Sequence, residues 1–279
     1  MLSQTFYDNY SEGVLDSFPP PQIYNDKVKG QITYTKTRIL NTENWLTTVN
    51  YYDDKYRVIK TYTQNHLGGM DIITNTYDFV GKALKTTQLH IVDSISNTIV
   101  KTFEYDHAGR LLRTNTKLDE DKFVQKSVNE YNELGQLIAK KTDKIDENSY
   151  FITSRYNYNI RGWITNITNQ DKDAANLFTL NLMYNKAEHE GFKPMFNGNI
   201  SAISWQSPNI NNLQQYDFTY DNLNRLLTAN YADEDKYNTN YQYDKNGNIT
   251  HLGRSGLFEE ESFGLIDDLS YTYNGNKLI

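Results

Sequence analysis

The sequence predicts an all-β protein built as one long twisted antiparallel sheet. Three observations carry this expectation. A Tyr-Asp (or Tyr-Asn) pair followed by Gly recurs at intervals of about 26 residues, the mark of a repeat architecture. The stretches between the pairs are rich in β-branched and aromatic residues and alternate with period two. Helical periodicity is weak: the best candidate is the short stretch DAANLF at 173–178, and NKAEHEGFKPM at 185–195 reads as a loop.

The unit is clearest in FEYDHAGRLL, 103–112. Tyr105 ends a strand, Asp106 to Gly109 turn the chain, and Leu111 opens the next strand. An Asp at the first turn position accepts backbone N–H groups two residues on, and Gly at the fourth takes positive φ without a Cβ clash. The same chemistry recurs along the chain. Tyr52–Asp53 comes first, then Tyr77–Asp78 with Gly81, Tyr131–Asn132 with Gly135, and Tyr158 with Gly162. Tyr220–Asp221, Tyr243–Asp244 with Gly247, and Tyr273 with Gly275 continue it. At Tyr184 the turn glycine is delayed to Gly198, which marks an insertion at 185–197. About nine repeats thus fill residues 28–279, with 1–27 expected to be an irregular N-terminal segment containing the polyproline-like FPPPQ. Two strands per unit imply roughly 16–20 strands.

Elements follow in order. VKGQITYTKTRIL (28–40) alternates Ile32, Tyr34, Lys36 and Arg38 against Thr33, Thr35, Thr37 and Ile39, as a strand should. NWLTTVNYYDD (44–54) repeats the pattern and enters the first turn. Each later period runs strand, turn, strand, and returns through a polar loop such as VDSISN or LDEDK.

Composition narrows the function. The chain has 279 residues, a formal net charge of −7, 23 Tyr and no Cys. An acidic chain argues against a nucleic-acid groove. Without Cys there is neither a disulfide nor a thiolate-bound metal. The opening MLSQTFYDNYSEGVLD lacks the order of a signal peptide, and no apolar run approaches the ~18 residues that span a bilayer.

Candidate chemistry has bland readings. Asp53, Asp78, Asp106, Asp221 and Asp244 resemble an array of catalytic or calcium-binding carboxylates. Asn132, Asn159, Asn185 and Asn274 hold the equivalent places, and Asn supports the turn but is no general base. The basic residues after the turn (Arg57, Lys82, Arg110, Arg225) are expected to cover a neighbouring aromatic or to pair with an acid. The five histidines, His66, His90, His107, His189 and His251, form no metal motif, and DKNGNI at 244–249 departs from a calcium loop at Ile249 and Ser255. No cofactor motif occurs. Trp45, Trp163 and Trp205 are the best candidates for a ligand platform on which sugars stack.

The series YDHAGRLL, YNELGQLI, YDNLNRLL and YDKNGNIT resembles the YD repeats of RHS (rearrangement hot spot) proteins. NYNIRGWI, NGNISAI and DDLSYTYNGNKLI look like the Bacteroidetes members in particular. The resemblance covers residues 28–279. It implies a β-strip that spirals into a hollow shell around a C-terminal toxin or effector, as in related teneurin and toxin-complex proteins. The expected partners are the remainder of that shell and its toxin, and the expected location is secreted or at the cell surface. The chain departs from the family in having no Asp-Pro autoproteolytic motif; its prolines are Pro19, Pro20, Pro21, Pro194 and Pro208. The resemblance therefore implies a structural, non-catalytic shell segment, not an enzyme. The alternative expectation is an adhesin-like module that binds carbohydrate or protein.

Overall fold

The computed structural model describes residues 2–147, 149–185, 194–210, 212–232, 236–259 and 262–279. Its elements begin with β1 (Ser3–Asp8), α1 (Glu12–Ser17), β2 (Val28–Arg38), β3 (Trp45–Tyr52), β4 (Val58–Gln64) and β5 (Met70–Tyr77). Next come β6 (Ala83–Val92), β7 (Ile95–Tyr105), β8 (Leu111–Leu118), β9 (Val124–Tyr131), β10 (Leu137–Lys144) and β11 (Tyr150–Tyr158). Then follow β12 (Ile164–Asp171), β13 (Asn176–Met183), β14 (Ala202–Gln206), β15 (Gln214–Tyr220) and β16 (Leu226–Tyr231). The last are β17 (Thr239–Tyr243), β18 (Ile249–Glu259), β19 (Ser262–Ser270), β20 (Tyr273–Asn274) and β21 (Lys277–Leu278). The first nineteen strands belong to one antiparallel sheet, and β20 and β21 form a separate two-stranded hairpin. Short connections between chain neighbours dictate the antiparallel sense. The all-β expectation holds.

The chain divides into two compact units, Met1–Asn129 with Thr142–Asn148, and Glu130–Lys141 with Ser149–Ile279. In the first, α1 is ended by the run Pro19–Pro21, which cannot continue a helix. The helix lays Val14, and Phe18 after it, against Tyr34, Val49, Tyr51 and Tyr62. Aromatic stacking closes this core: Phe6 lies 4.1 Å from Tyr34 and Tyr10 4.9 Å from Tyr51, centroid to centroid. Buried hydroxyls find carbonyls. Tyr51 donates to Phe18 O, Tyr62 to Pro19 O at 2.8 Å and Tyr10 to Asn50 O at 2.7 Å.

In the second unit the two sheet faces separate by chemistry. Register places Ile167 opposite Leu180, Leu182 opposite Ile203, and Ile203 opposite Tyr216, which gives one apolar face. On the other face Asn166 Nδ2 donates to Asn181 Oδ1 at 2.9 Å, and Asn181 Nδ2 to Ser204 Oγ at 3.2 Å. This amide ladder satisfies side chains that the sheet half-buries.

Two expectations are corrected. Residues 1–27 are not irregular: they hold β1 and α1 and carry much of the first unit's core. The cause is aromatic density, with Phe6, Tyr10, Phe18 and Tyr24 all packed inward. DAANLF is not a helix. Asp171 Oδ1 accepts the N–H groups of Asp173 and Ala175, Ala174 stands at φ 62, and β13 begins at Asn176. The side chain of Asp171 makes a turn where composition favoured a helix. The insertion expected at 185–197, with His189, lies mostly outside the described residues.

Phe18→Ala should cost about 3–5 kcal/mol, because the ring is only 4% exposed within the aromatic core. Val80→Ala, at 70% exposure, should change stability by no more than about 0.5 kcal/mol. Urea denaturation midpoints check this, and equal midpoints would mean that the N-terminal segment is not a core element.

Candidate functional site: the turn ladder

The repeat turns share one geometry. In Asp106–Arg110, Gly109 N donates to Asp106 O at 2.9 Å and Asp106 N to Arg110 O at 2.9 Å. The Asp106 carboxylate accepts Arg110 N at 2.8 Å on Oδ1 and Arg110 Nε at 2.6 Å on Oδ2. Asp53–Arg57 and Asp221–Arg225 repeat the bidentate pair, at 2.7 and 2.6 Å from Nε. Asp78 accepts Lys82 N at 2.8 Å, and Asp244 accepts both the backbone and the amide of Asn248 at 2.8 Å. Asn132 and Asn159 make the same backbone acceptor contact, to Gln136 N at 2.9 Å and Trp163 N at 3.0 Å. Each of these carboxylates thus accepts at least one main-chain N–H of its own turn. Among the described residues no group of three or more metal-ligating side chains forms.

The fourth turn position is left-handed. Gly81, Gly109, Gly135, Gly162 and Gly247 have φ between +79 and +97, while Gly275 (φ +63) is the second residue of a shorter turn. Where Gly is missing, Tyr56 (φ 59) and Asn224 (φ 65) take the conformation. One residue shift in register occurs just before Tyr52, Tyr77, Tyr105, Tyr158, Tyr220 and Tyr243. A turn followed by a left-handed residue and a bulge is a standard hairpin closure.

The bulge aims the tyrosine at its neighbour. Tyr52, Tyr77, Tyr105 and Tyr158 donate to the carbonyls of Ile32, Val58, Ala83 and Leu137. Tyr184, Tyr220, Tyr243 and Tyr273 donate to those of Ile164, Ile200, Leu226 and Ile249. All eight bonds measure 2.7 to 3.0 Å. In each case the acceptor lies two residues after the left-handed position of the preceding repeat. The rule holds at Gly198 (φ +101) and Ile200, which confirms Gly198 as the displaced turn glycine. It also holds at Gly30 (φ +78) and Ile32. Tyr7 pairs with Ile32 after a register shift, and Asp8 Oδ1 accepts Gly30 N at 2.6 Å. Tyr7, Asp8 and Gly30 thus form a further repeat, its turn opened by the segment that carries α1. The sequence signal was present in Tyr7-Asp8, but the glycine stands too far away for a local motif.

Arg57, Lys82 and Arg225 reach from their own turn to the next repeat. Arg57 Nη1 donates to Asp78 O, and Arg225 Nη1 to Asp244 O, both at 2.9 Å. The guanidinium of Arg57 covers Tyr77 at 4.9 Å and that of Arg225 covers Tyr243 at 4.6 Å; the ammonium of Lys82 lies 5.5 Å from Tyr105. These side chains also abut the next turn glycine. A Cβ on Gly109 would lie 2.4 Å from Lys82 Nζ, and one on Gly198 3.2 Å from Trp163 Cζ2.

The three tryptophans stand apart. Trp163 packs on Tyr184 at 5.0 Å, and Trp205 lies 6.0 Å from Tyr216 in a run that continues to Tyr231 and Tyr237. Trp45 opens β3 opposite Arg38. Among the described residues no ring contact joins one tryptophan to another.

Electrostatics follow the hydrogen bonds. The Arg110 N–H and guanidinium hold the Asp106 carboxyl below its ordinary range, and Arg225 does the same for Asp221. At Asp53 burial pushes upward, but the N–H groups and guanidinium of Arg57 outweigh it. Asp244 is lowered first by the Asn248 amide. Burial raises Tyr52, Tyr77, Tyr105, Tyr158, Tyr184, Tyr220 and Tyr243.

No family model and no curated protein matches the sequence. Solved structures do match. A crystal structure of TcdB2-TccC3-TEV covers 92% of this chain at 13% identity with a TM-score of 0.50, and this chain spans 15% of that one. The Photorhabdus luminescens Tc holotoxin pore with a mutated TccC3 covers 83% at 14% identity, TM-score 0.47, and this chain spans 14% of it. A porin-like protein from Bacteroides uniformis covers 74% at 11% identity, TM-score 0.34, with 88% of its own length matched. The TcdB2-TccC3-TEV likeness shows the fold: a repeat-built antiparallel sheet, in keeping with the YD-repeat resemblance of the sequence. Among the described residues no helix is long and apolar enough to cross a membrane.

Gly109→Val combines a positive φ with a Cβ against Lys82 and should cost about 1–3 kcal/mol. Ser127→Val, within β9 opposite Thr114, should cost less than about 1 kcal/mol. Tyr56→Gly should raise stability by up to about 1 kcal/mol, since Gly relieves the left-handed strain. Equal denaturation midpoints for the two valine variants would sink the turn assignment.

Stability should fall at both ends of the pH scale. The lowered aspartates favour the folded state above their ordinary value of 3.8, and this contribution is lost as pH falls through their folded values. The raised tyrosines favour it below their ordinary value of 10.0, and theirs is lost as pH rises through the folded values. Tyrosinate absorbance should rise together with loss of β circular dichroism. Repeat tyrosines that ionise near 10.0 in the folded chain would contradict the ladder.

Proposed function

We propose that this chain is a non-catalytic wall segment of an RHS-type β-shell that encloses or presents an effector. The observation that carries the reading is the ladder itself. Eight repeat tyrosines fix their repeat to the one before through the hydroxyl, and Arg57, Lys82 and Arg225 each lie over the tyrosine ring of the repeat after. The turn Asp and Asn side chains accept main-chain N–H groups of their own hairpins, which supports a structural role for them. Fold similarity to TcdB2-TccC3-TEV supports the reading, and so does the YD-repeat resemblance. The partners are the remainder of the shell and its toxin, and the site of action is secreted or at the cell surface. The mechanism is physical: main-chain ladders hold a wall, and the wall excludes proteases and solvent from the cargo.

The test is to read the gene beyond Ile279 and express its whole product. The wall reading expects further repeats followed by an unrelated segment. That segment should resist protease in the intact protein and be cleaved once urea unfolds the sheet. A frame that ends at once, or a following segment cleaved as fast in the native protein as in urea, overturns it.

A further inference from the structure

The first unit has a second edge, opposite its Tyr-Asp turns. Three connections lie side by side there: 93–94 between β6 and β7, 119–123 between β8 and β9, and 143–147 where β10 ends. Asp119 ties β7 to the second connection, its N–H donating to Thr98 O at 2.7 Å and its Oδ1 accepting Thr98 N at 2.6 Å. Lys126, at the start of β9, reaches the third through Asp143 at 2.7 Å.

This edge is apolar and acidic at once. Ile95, Leu118, Phe123, Val124 and Ile145 are 45 to 69% exposed. Connections between strands need only polar residues and turn formers, so the sheet does not explain these five side chains. A contiguous set of exposed apolar residues with a polar surround marks an interaction site. The surround is acidic: segments 93–95, 117–126 and 143–147 hold seven carboxylates and four lysines. Two of those lysines are engaged on the spot, Lys126 with Asp143 and Lys117 over the Phe123 ring at 5.8 Å. The balance is a negative field around apolar carbon.

Spacing sets the kind of partner. Neighbouring connections on one edge stand two strands apart, about 10 Å. An α-helix presents the same face again after about seven residues, or about 10.5 Å. A helix of about 14 to 18 residues therefore crosses all three connections with an apolar side chain at each.

We infer that this edge docks a cationic amphipathic helix of a partner protein. Its apolar stripe lies on Ile95, Phe123 and Ile145, and its lysines or arginines meet Glu120, Asp121 and Glu147, all exposed. A second copy of the chain fits less well, because its matching edge carries the same negative charge and like charges oppose docking. The inference does not depend on the wall reading.

The experiment is fluorescence anisotropy of the purified chain with a labelled Leu-Lys peptide of about 18 residues, its leucines on one helical face. A Kd of about 10 μM is expected at low salt, weakened at least about fivefold at ~0.5 M salt. Phe123→Ser and Ile145→Ser should each weaken binding about fivefold, and Glu120→Lys combined with Asp121→Lys about tenfold, all with unchanged β circular dichroism. Val80→Ser, equally exposed on the opposite edge, should bind like the parent chain. A Leu-Glu peptide of the same pattern should not bind. Equal binding of the Leu-Glu peptide, parental affinity in the serine or the lysine variants, or a loss in Val80→Ser as large as in Phe123→Ser would overturn the assignment. So would a dimer of the chain alone that Phe123→Ser abolishes, which would give the edge to a second copy.

Discussion

The structure depends on one hydrogen bond, made again at eight repeat tyrosines: a tyrosine hydroxyl to a main-chain carbonyl of the preceding repeat. A bulge breaks the strand ladder just before Tyr52, Tyr77, Tyr105, Tyr158, Tyr220 and Tyr243, so the register cannot supply every backbone partner there. An acceptor left without a donor in a half-buried place costs about 1–3 kcal/mol. Tyrosine meets that need from the next hairpin and covers the bulge with its ring in the same step. Phenylalanine would supply the ring alone, and serine the hydroxyl without the reach. The recurrence of tyrosine at this position follows from the demand for both.

A second constraint acts on the turn. What the geometry requires is an oxygen acceptor at a fixed place, and a negative charge is secondary. Asn132 accepts Gln136 N at 2.9 Å while its amide donates to Gln136 Oε1 at 2.7 Å. This copies with neutral groups what Asp106 does with Arg110. The charged version adds the reach of a guanidinium to the next turn, as Arg57 and Arg225 show. Aspartate-arginine turns therefore stitch two repeats, whereas the Asn132 amide pair closes its own hairpin.

The sequence made legible whatever is local. A turn Asp or Asn, a left-handed fourth residue that is usually glycine and a tyrosine before them fall within five residues, so Asp106, Gly109 and Tyr105 could be read directly. Three features were not legible because they join distant or unusual residues. The repeat at Tyr7 and Gly30 is split by an inserted helix. The left-handed residues Tyr56 and Asn224 carry no glycine to announce them. The demand on Gly109 for space as well as φ comes from Lys82 of the preceding repeat. The DAANLF stretch misled for a related reason: its composition favours a helix, yet Asp171, just outside it, captures the backbone first.

The core is also distributed unevenly, and this bears on how such a chain holds together. In the first unit, Val49 and Tyr51 are fully buried beneath the N-terminal segment, and dispersion and burial dominate there. In the second unit, the amide ladder through Asn166, Asn181 and Ser204 and the aromatic run from Trp205 to Tyr237 share the work. Hydrogen bonds to half-exposed amides contribute about 0.5–1.5 kcal/mol each, less than a buried ring. Stability in a repeat array is a sum of repeats and their nearest-neighbour interfaces. It follows that the first unit draws on a dry core in addition to its rungs. The second relies more on the rungs themselves, so its persistence as a sheet depends on an unbroken succession of tyrosines.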